Sequence, residues 1–433
     1  MSKFFHSEKG SVSLFLLMII VSLFIFHAIL IDYSRILLAK KQTEDALLIG
    51  LRSVLSSYDI HLQEKYGLFG LGHADGEKIL RDVIQKNLAP SAKTFQFVQH
   101  YVQEGSIKLE GKHYLGFHPV YKHQILEMMK GHKESVEETK LMEQLQKLSE
   151  KLKDPRFNTY NLELEKKLME SNMTNEAIAQ SFNQKKNMVD RLALYDRAKL
   201  LQKDPAKWKQ VYSYWEKYQQ LNRMEDIPPY RKSIPIEDQA ILLEAYTQFA
   251  SLDQNNKLED DQKQMIEYIF HTFSAYHDQE IEYILYGFDR SYENMLATFT
   301  DLLFLRLTIN SLDALDKCTQ PSDSYDLTSC VSTAAIEQSI DQMKQLLRGD
   351  SITFSADSPE LRLDYQEHLK LLFYIHNAEE SSQLSRMLAL TEYEVQKDLK
   401  KVPTNLTGYV ENEISLWFFP KKYRIQHQFS ISY

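Results

Sequence analysis

No Asp, Glu, Lys or Arg stands between Lys9 and Asp32, and the 22 intervening residues, Gly10 to Ile31, read GSVSLFLLMIIVSLFIFHAILI. As a helix rising about 1.5 Å per residue, this run covers roughly 33 Å, enough to cross a hydrocarbon core of about 30 Å. A cleavable export signal has a shorter apolar core, about 7–15 residues, and closes on small residues. Here the run closes on the bulky HAILIDYSR. The chain therefore reads as a single-pass membrane protein with a retained anchor, marked by Gly10, Ser11, Leu14 and Ile31. Basic residues orient it weakly, because Lys3 and Lys9 precede the span while Arg35, Lys40 and Lys41 follow it. Large exported regions translocate largely regardless of such counts, and the expected topology is a cytoplasmic N-terminus with an extracytoplasmic body.

The span runs without a break into IDYSRILLAKKQTEDALLIGLRSVL, which holds no proline. Ile36, Ala39, Thr43, Ala46, Gly50, Val54 and Tyr58 recur three and four apart, giving one small or apolar helical face. The pattern predicts a helix to about Gln63, roughly 80 Å long, with a stalk several turns beyond the membrane. Small residues at Ala39, Ala46 and Gly50 permit close backbone approach, so Asp32, Arg35, Ala39, Ala46 and Gly50 are expected to form a packing seam toward a partner or the body.

Gly and Pro number only 13 and 11 in 433 residues, where ordinary usage would give about 30 and 20. The remainder should then be built from long helices. Two stretches read otherwise. TFQFVQHYVQEGSIKLEGKHYL carries alternating β-branched and aromatic residues around Glu104-Gly105 and Glu110-Gly111, a hairpin pattern. Tyr409 to Tyr433, interrupted at Pro420-Lys421-Lys422, gives a second hairpin. Isolated hairpins are marginal in water, so the two are expected to join in one four-stranded sheet. The fold class expected is α+β and predominantly helical: transmembrane helix and stalk over 1–66, first hairpin region over 67–118, helical insertion over 119–402, C-terminal hairpin over 403–433.

Chemistry is sparse. The chain has no G-x-S-x-G elbow, P-loop, H-E-x-x-H or G-x-G-x-x-G. His271, His277 and Glu280 are spaced six and three apart, which suits polar surface better than a metal site. Asp253 to Asp261 resembles a calcium loop, but Leu258 replaces the turn glycine and Gln264 the closing carboxylate. No catalytic residue, metal or cofactor is expected. A balance of 51 basic against 60 acidic side chains, net −9, with no basic stripe, argues against nucleic acid as a partner. Cys318 and Cys330, the only cysteines, flank the turn-rich TQPSDSYDLTS and could close a disulfide loop in an oxidising compartment or stay free thiols. The charged segment from Lys133 to Asp154 reads as a solvated face, with a coiled-coil contact as the sharper option.

With Gly10, an apolar span, Asp32-x-x-Arg35, Ala39, Gln42, Asp45 and Ala46 in order, the first sixty residues resemble the N-terminal signature of TadE/TadG-like proteins of the tight-adherence (Flp) pilus system. SYDIHLQEKYGLFGL, IEYILYGF, LRLTIN and LDYQEHLKLLFYIHNAEESSQLSRMLALTE extend the likeness to larger Gram-positive relatives of unassigned biochemical role. The resemblance implies a non-catalytic, pseudopilin-like component of a pilus or secretion apparatus, held in the cytoplasmic membrane beside other pilus-assembly subunits and capable of homo-oligomerising. Gly10-Ser11 offers a prepilin-peptidase site, yet the fifth residue after it is Phe15, where pilins usually carry Glu. An uncut accessory subunit fits better. The alternative is a membrane-tethered extracellular binding or adhesive module.

Overall fold

The computed structural model describes residues 8–72, 75–89, 96–130, 136–153, 155–156, 159–160, 162, 204–219, 260–275, 278–318, 327–375, 380–419 and 421–433. Within these the protein is mostly helical, with a small antiparallel sheet and a long apolar helix at its start. Two compact units form: residues 1–120 with 398–433, and residues 121–397.

In the first unit, α1 (Glu8–Leu55) is one unbroken helix of 48 residues. It stops eight residues short of Gln63. Ser56 Oγ donates to the Ser53 carbonyl (2.8 Å), and Ser57 gives both its N–H (3.0 Å) and its Oγ (2.6 Å) to the Val54 carbonyl, so local donors close the last turn. Asp59 then caps a new helix, α2 (Ile60–Tyr66), by accepting from the Leu62 N–H at 3.2 Å. Gly67 closes α2 at φ +64°, a left-handed conformation that suits glycine. A third helix, α3 (Gly76–Leu88), starts on an Asp75 cap.

The sheet has three strands, ordered β1 (His100–Tyr114), β4 (Pro403–Ser415) and β5 (Lys422–Ser432), all antiparallel. The C-terminal hairpin is β4–β5. The expected first hairpin is instead a single bent strand, so the four-stranded sheet is corrected to three. Val102 pairs with Asn412 and Ile107 with Val410, which leaves residues 103–106 opposite one residue of β4 as a bulge, closed by Ser106 Oγ donating to the Gln103 carbonyl. Gly111 is likewise no turn. It pairs with Leu406, and a Cβ there would sit 2.7 Å from the Pro403 ring. A bulge and a tight pairing use the same glycines that a turn does.

The core of this unit joins Ala46, Leu47, Leu51 and Val54 of α1 to Leu80, Ile84 and Leu88 of α3 and to Ile107, Leu406 and Val410 of the sheet. Nearer the span, Ala39 packs with Val98, Ile414 and Ile425. Thus α1 lies directly on the sheet.

The second unit contains α4 from Tyr121 (α4, His118–Met129), then α5 (Val136–Leu152), α6 (Pro205–Gln219), α7 (Asp260–Thr272), α8 (Glu280–Tyr286), α9 (Ser291–Cys318), α10 (Leu327–Leu346), a two-stranded ribbon of β2 (Ile352–Thr353) and β3 (Arg362–Leu363), α11 (Tyr365–Ile375) and α12 (Glu380–Val395). At its centre, α9 is long and apolar enough to pass as a membrane span, but 83% of that stretch is buried. It is a core helix, and it carries a polar seam. Arg306 Nε donates to Gln342 Oε1 and Nη1 to the Phe354 carbonyl, both at 2.8 Å, while Asn310 Nδ2 reaches Ser339 Oγ at 2.8 Å. Fully buried, this arginine is costly unless its donors are satisfied, which the ribbon carbonyls and α10 accomplish. Lys207 pairs with Glu280 (3.0 Å) and Lys217 with Glu392 (2.8 Å), tying α6 to α8 and α12.

Candidate functional site

From Leu14 to Leu30 the apolar side chains of α1 face outward, with Leu14 64%, Phe24 72% and Leu30 44% exposed. Such a surface is stable only against lipid or another apolar partner. Gly10 and Ser11 lie in its first turns and Ile31, half-buried, ends it.

One residue later the environment changes. Asp32 is 2% exposed, and its carboxylate accepts three backbone N–H groups from the β4–β5 turn: Trp417 at 2.9 Å, Phe418 at 2.9 Å and Phe419 at 3.2 Å. A buried carboxylate is tolerable on these terms, since amide donors replace the water it loses. Arg35, one turn on, is fully buried and lies 3.5 Å from Asp32. Its Nε donates to the Phe97 carbonyl at 2.8 Å, and its guanidinium sits 4.3 Å above the Trp417 ring. Its terminal nitrogens make no hydrogen bond, so the indole face and the Asp32 charge are what hold them. Burial lowers the Arg35 pKa, and the neighbouring carboxylate opposes that shift.

The same helical face continues as Ala39, Thr43, Ala46, Gly50 and Val54, all buried. Steps of 3, 4 and 4 residues keep this stripe straight along an α-helix. The seam residues meet the chain's own body. A Cβ on Gly50 would lie 2.7 Å from Leu80 Cδ1 of α3, and a Cβ on Gly408 of β4 would lie 2.9 Å from Leu47 Cδ1 and 3.0 Å from Leu51 Cδ2. Glycines on both surfaces let backbone approach backbone.

Midway along the stripe lies a polar cluster. Thr43 Oγ1 donates to the Ala39 carbonyl and accepts from Asn412 Nδ2 at 2.9 Å. Asn412 Nδ2 also donates to His100 Nδ1 at 2.6 Å, and His100 Nε2 donates to Gln42 Oε1 at 2.9 Å. That pattern requires a neutral imidazole. Burial accordingly lowers the His100 pKa.

Elsewhere, Cys318 and Cys330 are joined as a disulfide. His271 is exposed and Glu280 is buried against Lys207, so the two are not brought together; His277 lies outside the described residues. Residues 253–259 of the calcium-like stretch also lie outside them, while Asp260 and Asp261 open α7. In the charged 133–154 segment, Leu141, Leu148 and Leu152 of α5 are buried. Among the described residues no cluster of His, Cys, Asp and Glu is arranged to hold a metal ion. Asp313 lines a cleft beside α5 and α9 but is itself buried, and that burial raises the pKa of its carboxyl. Asp313 is already engaged by the Ala356 N–H (2.7 Å) and Ser355 Oγ (3.2 Å).

Sequence reasoning placed Asp32 and Arg35 in a packing seam and overlooked the turn that they capture. The available signal was Trp417-Phe418-Phe419, three consecutive aromatics between two alternating strands and followed by Pro-Lys-Lys. No family model, curated protein or solved structure matches this chain.

Proposed function

We propose that the protein is a non-catalytic, single-pass membrane component of a tight-adherence or type IV-like pilus or secretion apparatus, with its N-terminus in the cytoplasm and its body outside. One observation carries the reading: a single helix bears an outward-facing apolar span in its first half, and its second half forms the spine of a sheet-backed head. This is the construction a pseudopilin-like subunit needs, because lateral contacts in the bilayer then fix the height and azimuth of the head. The likeness of Gly10, Asp32, Arg35, Ala39, Gln42, Asp45 and Ala46 to the TadE/TadG signature supports it. So does the Cys318–Cys330 disulfide, which persists in an oxidising compartment.

The sequence left the small-residue seam to a partner or to the body, and it meets the body. Ala39, Ala46 and Gly50 are covered by α3 and the sheet, so association runs through the exposed apolar surface between Leu14 and Leu30.

Purification of the tagged full-length protein from detergent-extracted membranes of its own cells tests this. Stable recovery with pilus-platform membrane proteins is the expected outcome. Recovery alone would favour a tethered binding or adhesive module. Intact-mass analysis of the same sample should give an N-terminus at Met1 or Ser2; a start at Ser11 would mean pilin-like processing instead.

A further inference from the structure

The β4–β5 turn exposes Trp417 (49%), Phe418 (53%) and Phe419 (44%) side by side, and Tyr33 on α1 is 57% exposed. Consecutive exposed aromatics of this kind mark a contact surface. Its place on the molecule identifies the contact. Asp32, the first charged residue after the uncharged run, holds the backbone of all three turn aromatics, so they stand at the level where α1 leaves its apolar stretch. Trp and Tyr rings prefer that depth in a bilayer, where an apolar body and a polar edge are both accommodated.

We infer that the Trp417-Phe418-Phe419 turn is a second membrane contact, seated in the interfacial layer of the leaflet nearest the head and held there by Asp32 and Arg35. This rests on the reading that α1 crosses the bilayer. Aromatic insertion rather than charge attraction drives the contact. One exposed lysine, Lys421, stands beside the three aromatics, and beyond it Lys422 already pairs with Glu413 (3.4 Å) and Arg424 with Glu411 (2.9 Å) and Glu413 (3.4 Å). Lys40 lies over the Tyr423 ring at 5.7 Å.

The test uses the full-length protein reconstituted in phosphatidylcholine vesicles, with tryptophan emission read against W417F to isolate Trp417. Lipid brominated near the glycerol end of its chains should remove most of the Trp417 emission. Aqueous iodide should remove little, and lipid brominated at the chain terminus should quench less than the shallow label. The double variant F418S/F419S should lower lipid quenching while raising iodide quenching. Adding phosphatidylglycerol should leave the pattern unchanged. Strong iodide quenching without lipid quenching would place the turn in water and overturn the inference. Shielding from both quenchers would mean that a second copy or another protein covers it, which also overturns it. An alkaline carbonate wash separates this failure from that of the anchor: protein retained on the vesicles upholds the span whatever Trp417 does, whereas protein released by the wash removes both readings.

Discussion

Replacing Asp32 takes away the acceptor for three turn amides and leaves Arg35 buried beside nothing of opposite charge. Breaking a buried pair in this way costs about 3–5 kcal/mol. D32A should therefore lower the denaturant midpoint of the detergent-solubilised protein strongly, and D32N, which keeps one acceptor oxygen, should lower it less. A midpoint within error of the parent for D32A would mean the carboxylate holds nothing. Three histidines contribute to the pH dependence. Burial lowers the pKa of His100 and His118, and holds that of His368 at about 3, with Arg306 adding to the last effect. All three bind a proton more readily when unfolded, so their contribution is complete above about pH 6.5 and is lost as pH falls below that. Stability measured from pH 7 down to pH 4 should decline by at most about 1.4 kcal/mol per unit for each group, and H368Q should flatten the slope. At this scale the sequence was partly legible. Asp32-x-x-Arg35 stood out by position, but a sequence cannot show that a carboxylate serves backbone amides 385 residues away. Helical period speaks only to neighbours on one element.

Among the elements, α1 was the most legible, because charge depletion and a 3–4 spacing both persist along it. Its stopping point was not, since Ser56 and Ser57 act through hydroxyls that cap the last turn and leave no gap in the pattern. Gly50 distinguishes packing from propensity. A methyl group there meets the movable end of Leu80, while Gly→Ala in a helix gains up to about 1 kcal/mol. G50A should thus be close to neutral, whereas G50V overfills the α1–α3 contact and should cost about 1–3 kcal/mol in chemical denaturation. Equal stability of both variants would show that the contact is looser than the geometry indicates. The strand at residues 100–114 was misjudged for a physical reason: alternation reports that a strand exists, and Glu104-Gly105 serves a bulge as well as a turn. Only its partner, β4, decides between them, and β4 lies three hundred residues on. Cys318 and Cys330 close a loop of 12 residues, so reduction or C318S should destabilise the protein by about 2–3 kcal/mol, visible as a lower midpoint in dithiothreitol. An unchanged midpoint would remove any stabilising role for the bridge.

For the molecule as a whole, the uncharged stretch predicts its own test. A lysine at the centre of a spanning helix costs about 2.5–3.5 kcal/mol, so F24K should cut the carbonate-resistant membrane fraction. I49K, at another exposed position on the same helix, should leave that fraction intact. Equal retention of the two would argue that the apolar surface lies in a protein interface rather than in lipid. The mostly helical α+β character followed from low glycine and proline content together with two alternating stretches. The sheet's backing by α1 did not, because the face that period and residue size identified as adhesive carries no mark of what it adheres to.

Continuity of α1 has a mechanical consequence. With no flexible joint between Ile31 and Asp32, and with the aromatic turn gripped at that very point, the sheet cannot swivel independently of the apolar half of α1. On the proposed membrane reading, a thinner bilayer, which leans an over-long helix away from the normal, should tip the attached strands through the same angle.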